Sequence, residues 1–225
     1  MHVTTHPSVV AKPQTVTVCL VTPALAAANN GNWQTAKRWT RMLSTHYRVQ
    51  VTDQWRGEPC DVMLALHARR SAPSIRAFAA AHPGKALIVA LTGTDLYRDI
   101  RVDGEAQHSL AIATRLMVLQ DQARLDVPSA FQSKVDVCYQ STPARKPMAK
   151  TDVRLRAVAV GHLRDEKDPL TMMRAMQRLA QRPDILFDHI GDPLDKALAM
   201  QAQTLAAAQS NYRWLGALPH AATLA

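Results

Sequence analysis

The feature that most constrains the fold of this chain is a regular alternation of short apolar runs with segments of helical periodicity. The apolar runs predict β-strands at 15–21, 47–52, 61–66, 86–91, 116–119, 135–139, 155–160, 185–190 and 212–215. The amphipathic patterns between them predict helices at 33–44, 73–81, 105–114, 120–125, 169–181 and 195–209. Strands that alternate with helices in this way form parallel, doubly wound α/β sheets, with functional loops at the carboxyl ends of the strands.

A segment without periodicity divides this pattern into two parts. Residues 141–152 contain two prolines and are the predicted linker. They separate a first Rossmann-like unit, residues 15–140, from a second unit, residues 153–225, and we expect a cleft between the two. Residues 1–14 carry no periodic pattern and are predicted to be a disordered leader.

The second unit is shorter than an independent α/β domain, which usually needs roughly 100 residues or more. The pattern predicts three strands and two helices in it, followed at residues 220–225 by what reads as the first turn of a further helix. We therefore expect the chain to be a fragment or a truncated product of a longer protein.

Charge is concentrated in the first part of the chain. The net charge of the whole sequence is +9, of which residues 1–150 contribute +8 (18 Lys and Arg against 10 Asp and Glu). A basic half predicts an anionic partner. The cations are scattered at the spacing of helix surfaces and few aromatics lie near them, so a small phosphorylated molecule is favoured over nucleic acid. The alternative is a simply solvated basic surface.

Composition excludes several classes of protein. No apolar run approaches the 18 or so residues of a membrane span, and the N-terminal residues lack the apolar core of a signal peptide, which predicts a cytoplasmic protein without a membrane partner. The three cysteines, Cys19, Cys60 and Cys138, do not have metal-ligand spacing and are predicted to be small buried residues.

The most informative loop lies between the predicted strand 155–160, read as a buried strand, and the helix that follows. Asp168 stands where a helix N-cap belongs, and Pro169 stands at the first helical position, where its missing N–H costs nothing. Gly161 allows a tight turn after the strand. The corner is therefore a strand, a short loop and a helix N-terminus, which binds anions through backbone N–H groups and the helix dipole.

Two cations in this loop add to the anion-binding character of the corner. Arg164 and Lys167 lie three residues apart, above the predicted helix N-terminus, and suit a diphosphate. The alternative is an ordinary loop whose charges are solvated and are balanced by Asp165 and Glu166.

Several motifs carry a resemblance to known families. The segment 161–169 resembles the donor-phosphate loop of the two-domain GT-B glycosyltransferases, and residues 212–216 resemble the strand and glycine that precede their nucleotide-base loop. In the first half, four segments together resemble the selenosugar synthases of selenoneine biosynthesis: residues 29–39, 66–71, 91–100 and 139–141. The resemblance covers about residues 15 to 225 and implies a GT-B-like fold of two Rossmann-like domains facing a cleft, the second incomplete.

That resemblance implies a reaction. A UDP-sugar, expected to be UDP-N-acetylglucosamine, gives its glycosyl group to the selenium of selenophosphate; UDP leaves, and a selenosugar results after loss of phosphate. Such enzymes use side chains and a helix dipole in place of a bound metal, so no cofactor and no obligatory metal are expected. The pair of Glu residues that holds sugar and ribose hydroxyls in this superfamily would lie beyond Ala225.

The resemblance also implies roles for residues on the donor side. Arg164 and Lys167 match the residues that contact the donor diphosphate, and Gly161 belongs to the same loop. Gly31 and Asn32, at the mouth of the first strand, are further candidates because a missing Cβ lets backbone approach phosphate. The alternative for Gly31 is a glycine that serves the turn.

The acceptor side is assigned to loops of the first unit. Thr94, Asp95 and His67 are the candidate catalytic residues, and a hydrogen-bonded structural histidine or a helix-capping aspartate is the alternative reading for the last two. Selenophosphate needs cations and hydroxyls around its oxygens. The candidate acceptor-binding residues are Arg69, Arg70, Thr92, Gly93 and Lys37; for Lys37 the favoured alternative is a solvated residue on a helix surface.

Two other functions stay open on the sequence alone. One is a GT-B glycosyltransferase with an ordinary hydroxyl acceptor. The other is a non-catalytic nucleotide- or RNA-binding protein that uses the basic first unit. The sequence does not fix the sugar, the anomeric stereochemistry or the oligomeric state.

Overall fold

A computed structural model describes residues 15–26, 30–142, 144, 149 and 151–223. The chain divides into two compact units, residues 1–143 and 144–225, and the division falls within the segment predicted to be the linker. The predicted leader, residues 1–14, and much of that linker lie outside the described residues.

The first unit is built on a six-stranded parallel sheet with strand order β2-β1-β3-β4-β5-β6. Its strands are β1 (Thr17–Val21), β2 (Arg48–Thr52), β3 (Val62–Leu66), β4 (Ala86–Ala90), β5 (Arg115–Val118) and β6 (Val135–Val137). All lie within two residues of their predicted bounds. The order reverses between β1 and β3, and ligands of doubly wound sheets bind beyond the carboxyl ends of the strands at such a point.

Helices cover this sheet and follow the predicted pattern with three short additions, one of which is the single turn at Ile100–Val102. The α-helices are α1 (Gly31–Leu43), α2 (Ala72–Ala81), the single turn α3 (Ile100–Val102), α4 (Gly104–Ile112) and α5 (Ala123–Asp126). A π-helical turn at Asp95–Asp99 and a 3-10 helix at Ser129–Lys134 lie in stretches predicted to be loops. Helix α1 begins two residues earlier than predicted. Of the two asparagines that could cap it, Asn30 and Asn32, Asn30 is the cap, and its side chain accepts from Trp33 N at 3.1 Å.

The core of the first unit lies on both faces of the central strands. On β3 and β4, Met63, Leu66 and Val89 are fully buried, which explains why these strands read as continuous apolar runs. Cys19 and Cys60 are buried as free thiols, and Cys138 is half-buried.

The second unit has a three-stranded parallel sheet in the order β7-β8-β9. Its elements are β7 (Leu155–Val160), a 3-10 turn (Asp165–Lys167), α6 (Pro169–Arg178), β8 (Ile185–Ile190), α7 (Lys196–Ala208), β9 (Tyr212–Trp214) and α8 (His220–Thr223). Helices α6 and α7 pack together with the buried Tyr212 and the half-buried Phe187, which share one face of the sheet.

The prediction that residues 155–160 form a buried strand was wrong in its burial. Strand β7 forms at the predicted residues, but Val158 and Val160 are each 60% exposed. The strand lies at the edge of the sheet, and on its second face none of the described residues of this unit covers these side chains. The apolar pattern therefore identified the strand but could not show that this face is open.

Candidate active site

Loops at the carboxyl ends of β3 and β4 hold the predicted catalytic residues of the first unit. His67 follows β3 directly, and residues 92–95 follow β4, the next strand of the sheet. Because both strands are parallel, these loops meet at one edge of the sheet, next to the β1–β3 reversal. The structure therefore brings together His67, Thr92, Gly93, Thr94 and Asp95.

Asp95 joins the two loops through its buried carboxylate. One oxygen, Oδ2, accepts from Ala68 N at 2.9 Å. The other, Oδ1, accepts from Thr92 N at 3.0 Å and Gly93 N at 2.9 Å. The residue is 0% exposed, so a substrate could not reach this carboxylate. Asp95 thus holds the loops after β3 and β4 in place, and a catalytic role for it stays a prediction.

His67 is held in a backbone conformation that is uncommon outside glycine. Its φ is 73°, in the left-handed region. Hydrogen bonds on both sides fix this turn: His67 N donates to Ala90 O at 2.8 Å, and Ser71 N donates to His67 O at 3.0 Å. The Ser71 hydroxyl also donates to Leu66 O at 2.6 Å. The turn places the His67 side chain at the edge of the sheet, where the residue is only 3% exposed.

The His67 ring has a partner at each nitrogen. Nδ1 accepts from Arg70 N at 3.2 Å, and Nε2 lies 3.1 Å from the Thr94 hydroxyl oxygen. Burial lowers the pKa of His67 below its ordinary value of 6.5; the charge of Asp95 opposes this shift, and that of Arg70 adds to it. The imidazole is therefore neutral at pH 7. Its hydrogen bond with Arg70 N stabilises the turn, and its contact with Thr94 reaches a candidate catalytic hydroxyl.

Asp99 is a site residue that sequence reasoning did not single out. It is 3% exposed, and its Oδ2 lies 4.0 Å from both His67 Nε2 and Arg69 Nη1, with no hydrogen-bond partner among the described residues. One turn of π-helix separates it from Asp95, so both carboxylates face the loop after β3. A π-helical turn has no recognisable sequence pattern, which is why this arrangement was missed.

The predicted acceptor-binding cations differ in how they are placed. Arg69 is half-exposed and pairs with Asp103, Nε to Oδ2 at 2.9 Å. Arg70 is exposed and forms no ion pair within the described part of the chain. Lys37 is exposed on α1, and none of the contacts between described residues joins it to the loops after β3 and β4. The structure thus places Arg70 beside His67 and leaves Lys37 outside that cluster.

Gly31 and Asn32, predicted on the donor side, are the first two residues of α1, which follows the strand at the sheet reversal. A Cβ on Gly31 would meet nothing within 4 Å among the described residues. The N–H groups of a first helical turn have no partner within the helix, so this position is open to an anion. The preceding residues 27–29 lie outside the described residues.

The second candidate region is the corner between β7 and α6. The predicted cap is confirmed: Asp168 has φ of 44° and its side chain accepts from Thr171 N at 3.3 Å, with Pro169 as the first helical residue. A 3-10 turn over Asp165–Lys167 precedes the cap. Arg164 and Lys167 therefore stand on either side of a tight turn that leads into the N-terminus of α6.

Gly191 is a second residue that sequence reasoning missed as part of the site. A Cβ there would lie 1.9 Å from Gly161 O, so the loop after β8 crosses the loop after β7 at a distance that only glycine permits. Gly161 N donates to Ile190 O at 2.8 Å, and Leu163 N donates to Asp192 O at 2.9 Å. A glycine directly after a predicted strand was the available signal.

His162 completes the junction of these two loops. Its Nδ1 accepts from Asp192 N at 3.0 Å, and Asp195 N donates to Leu163 O at 3.0 Å. Leu163 itself is fully buried. Hydrogen bonds to the loop after β8 thus fix the backbone that carries Arg164.

The two cations of the corner remain accessible. Arg164 is 42% exposed and its Nε lies 3.8 Å from Glu166 Oε2, a long and exposed pair of small energetic value. Lys167 is exposed, its stem lies against Gly161, and it forms no ion pair with any described residue. The balancing acidic residues predicted from the sequence therefore engage one cation weakly and leave both charges able to meet an anion.

The described residues contain neither a metal-binding cluster nor a membrane-spanning helix. No three or more His, Cys, Asp or Glu side chains gather in an arrangement that could hold a metal ion there. Within the same residues, no helix has the length and apolar character needed to cross a membrane. The expectation that the reaction needs no metal stays a prediction.

No family model matches this sequence, and no curated protein matches it. Solved structures do. The chain is similar to the lipopolysaccharide outer core galactosyltransferase WaaB in its apo form, with TM-score 0.62 and 10% identity over 93% of this chain and 70% of that one. It is also similar to HepE of Anabaena in complex with UDP and glucose, with TM-score 0.54 and 12% identity over 91% and 70%.

A TarM mutant of S. aureus in complex with fondaparinux, alpha-GlcNAc-glycerol and UDP gives a TM-score of 0.53 and 11% identity over 70% of this chain. The present chain spans 33% of the length of that TarM chain. At such identities the likeness shows the fold alone. The α/β fold expected from the sequence, with parallel sheets and intervening helices, is thereby confirmed.

Proposed function

We propose that this chain belongs to a UDP-sugar-dependent glycosyltransferase and that the corner between β7 and α6 receives the diphosphate of the donor. One observation carries the proposal: Arg164 and Lys167, both accessible, flank a tight turn at the N-terminus of α6. Two of the similar structures, TarM and HepE, contain UDP. The present chain has the same fold and the charges that a diphosphate requires.

The chemistry of glycosyl transfer explains why such a corner is needed. When the bond between the sugar carbon and the diphosphate oxygen breaks, UDP departs with the electron pair and gains negative charge. Positive groups fixed beforehand at the place where that charge develops stabilise the transition state. The guanidinium of Arg164, the ammonium of Lys167 and the positive end of α6 supply them without a bound metal.

For the acceptor we propose selenophosphate, and for the donor UDP-N-acetylglucosamine, on the strength of the motifs in the first unit. The selenium of selenophosphate attacks the anomeric carbon while UDP leaves; water then cleaves the selenium–phosphorus bond to give phosphate and a selenosugar. The nucleophile is already anionic at neutral pH and needs no strong general base. This agrees with a site in which Asp95 is inaccessible and His67 has both nitrogens engaged.

UDP titration calorimetry on the full chain tests the donor site. Arg164→Ala and Lys167→Ala are each expected to weaken UDP binding about tenfold or more, because each removes a charge-assisted contact. Arg178→Ala is the matched control, since Arg178 is exposed on the last turn of the same helix. Equal UDP affinity in all three variants and the parent would refute the diphosphate assignment.

The reaction is tested by mass spectrometry after incubation with UDP-N-acetylglucosamine, with and without selenophosphate. Selenophosphate-dependent release of UDP together with a selenium-containing sugar is the expected result. UDP released with a sugar alcohol in place of selenophosphate would favour a hydroxyl acceptor. Salt-sensitive retention of RNA with no UDP binding would instead favour a nucleic-acid-binding protein.

A further inference from the structure

The Thr94 hydroxyl has an orientation that the surrounding residues dictate. The backbone N–H of Arg70 can only donate, so His67 Nδ1, 3.2 Å away, must be the acceptor of that bond. A neutral imidazole that accepts at Nδ1 carries its proton on Nε2. Nε2 lies 3.1 Å from Thr94 Oγ1, so the ring donates to the hydroxyl oxygen.

This hydrogen bond leaves the Thr94 proton available. A hydroxyl has one donor, and its oxygen is here engaged as an acceptor. The described residues offer Thr94 Oγ1 no second hydrogen-bond partner, and the side chain is half-buried at the edge of the sheet. The hydroxyl therefore presents a donor, and not a lone pair, to whatever occupies that edge.

Charge at this edge selects an anionic occupant. Arg70 is exposed, forms no ion pair among the described residues, and its charge acts on His67. The two carboxylates that face His67 are turned inward: Asp95 is bound to backbone N–H groups, and Asp99 is 3% exposed. Arg69 is engaged by Asp103. The accessible groups are thus a hydroxyl donor and a guanidinium, the pair that oxygen atoms of a phosphate-like anion require.

We propose that Thr94 donates a hydrogen bond to an oxygen of a tetrahedral oxyanion, the phosphate portion of the acceptor, and that His67 is a positioning residue which fixes the polarity of this hydroxyl. The identification of the oxyanion with the acceptor rests on the proposed function; the binding of the oxyanion itself does not. His67 acts through Thr94 and exchanges no proton with the substrate.

The structure explains why the ring must stay neutral. A protonated His67 would carry a hydrogen on Nδ1, pointing at the Arg70 N–H, and the pair would repel. The charged groups that face the ring are Asp95 and Asp99 from the π-helical turn and Arg69 and Arg70 from its own loop. Burial lowers the pKa of His67 by more than the two carboxylates raise it. The neutral imidazole therefore persists at pH 7 and is protonated only at more acidic pH.

Inorganic phosphate is the probe for the first test, with binding to the full chain followed by amide NMR shifts of residues 92–95. Thr94→Val keeps the shape but removes the donor, and is expected to weaken phosphate binding tenfold to a hundredfold. Thr94→Ser keeps the hydroxyl and should stay within threefold of the parent. Thr45→Val, in an exposed turn, is the control. Equal phosphate affinity in Thr94→Val and Thr94→Ser would overturn the proposal.

Two substitutions at His67 distinguish a role in orienting the Thr94 hydroxyl from a role only in stabilising the loop. The amide nitrogen of glutamine can reach the place of Nε2, whereas asparagine can replace Nδ1 but has no group at Nε2. His67→Gln is therefore expected to retain most of the phosphate affinity, and His67→Asn to bind as weakly as Thr94→Val. Equal affinities in the two His67 variants, with melting temperatures like that of the parent, would refute the positioning role. Should either variant unfold, the Thr94 pair decides alone.

A pH series with sulfate, whose charge does not change in this range, completes the test. The Nε2–H donor to Thr94 is present in both protonation states of the ring, so the difference in sulfate affinity between the parent and Thr94→Val should persist as the pH drops through the lowered pKa of His67. UDP affinity is measured in parallel and is expected to be the same in all variants. If sulfate and phosphate binding depends on Thr94 but the protein does not bind UDP, the proposed function is refuted and the oxyanion site is supported. If the protein turns over the UDP-sugar but anion binding does not depend on Thr94, the oxyanion site is refuted and the proposed function is supported.

Discussion

Substitution of Gly191 by alanine is the sharpest test of how the second unit is built. The added Cβ would lie 1.9 Å from Gly161 O, 2.4 Å from Gly161 C and 2.8 Å from His162 N. Carbon and oxygen atoms that are not bonded come no closer than about 3.3 Å, so the two loops must separate by about 1.4 Å. All three clashing atoms are backbone, so no side-chain rotation relieves the overlap.

Such a separation breaks the hydrogen bonds that join the loops. The bonds most directly strained are Gly161 N to Ile190 O at 2.8 Å and Leu163 N to Asp192 O at 2.9 Å. Loss of one or both, added to the strain of overpacking, should lower the free energy of unfolding by about 2 to 4 kcal/mol. Movement of the backbone that carries Arg164 by this distance should also weaken UDP binding at least tenfold.

Chemical denaturation and UDP calorimetry measure the two effects in one preparation. Gly104→Ala is the matched control, because a Cβ there meets nothing within 4 Å and the residue begins helix α4, where alanine is expected to stabilise by about 0.4 to 1 kcal/mol. A Gly191→Ala protein with the stability and UDP affinity of the parent would show that the crossing of the two loops is not rigid, and the reasoning would fail.

Three further substitutions test the core of the first unit and, in the second unit, the open face and a buried ion pair. Val89→Ala in the buried β4 should cost about 2 to 3 kcal/mol of unfolding free energy, whereas Val160→Ala, at a side chain 60% exposed, should cost less than about 1 kcal/mol; urea denaturation compares them. Asp188 is 3% exposed, and the guanidinium of Arg213, followed by that of Arg156, holds its pKa below the ordinary value. Its stabilising contribution is therefore present above pH 4 or so and is lost as the pH falls through the lowered pKa, so Asp188→Asn should cost about 1 to 2 kcal/mol at pH 7 and progressively less as the pH falls below 4.

The strands and most helices could be predicted from the sequence because apolar periodicity records which residues a sheet buries. Continuous runs such as that of β3 become central strands, and the Asp168–Pro169 pair marks a helix start by local chemistry alone. The same pattern misled at β7, where Val158 and Val160 are apolar but exposed. A pattern reports what a strand can bury, and tertiary contacts decide what it does bury.

The charged candidate residues were singled out from the sequence, whereas two buried residues beside them were not. Arg164 and Lys167 were singled out because two cations before a helix N-terminus suit an anion. Asp99 and Gly191 were not. The placement of Asp99 depends on a π-helical turn, and that of Gly191 depends on the crossing of two loops that are distant in the sequence. The burial of Asp95 could not be predicted either, because a motif does not show which of its side chains the fold encloses.

In both units, substitution of a buried loop-fixing residue and substitution of an exposed cation should have different effects. In each, one buried residue fixes the loops: Asp95 accepts three backbone N–H groups in the first unit, and Gly191 permits the loop crossing in the second. The exposed cations, Arg70 in the first unit and Arg164 and Lys167 in the second, add little to folding because their partners are weak or absent among the described residues. Removal of a cation should therefore change ligand affinity and leave the melting temperature unaltered, whereas removal of a buried anchor should change both together; a cation variant that lost stability as well as affinity would show that these charges also hold the loops.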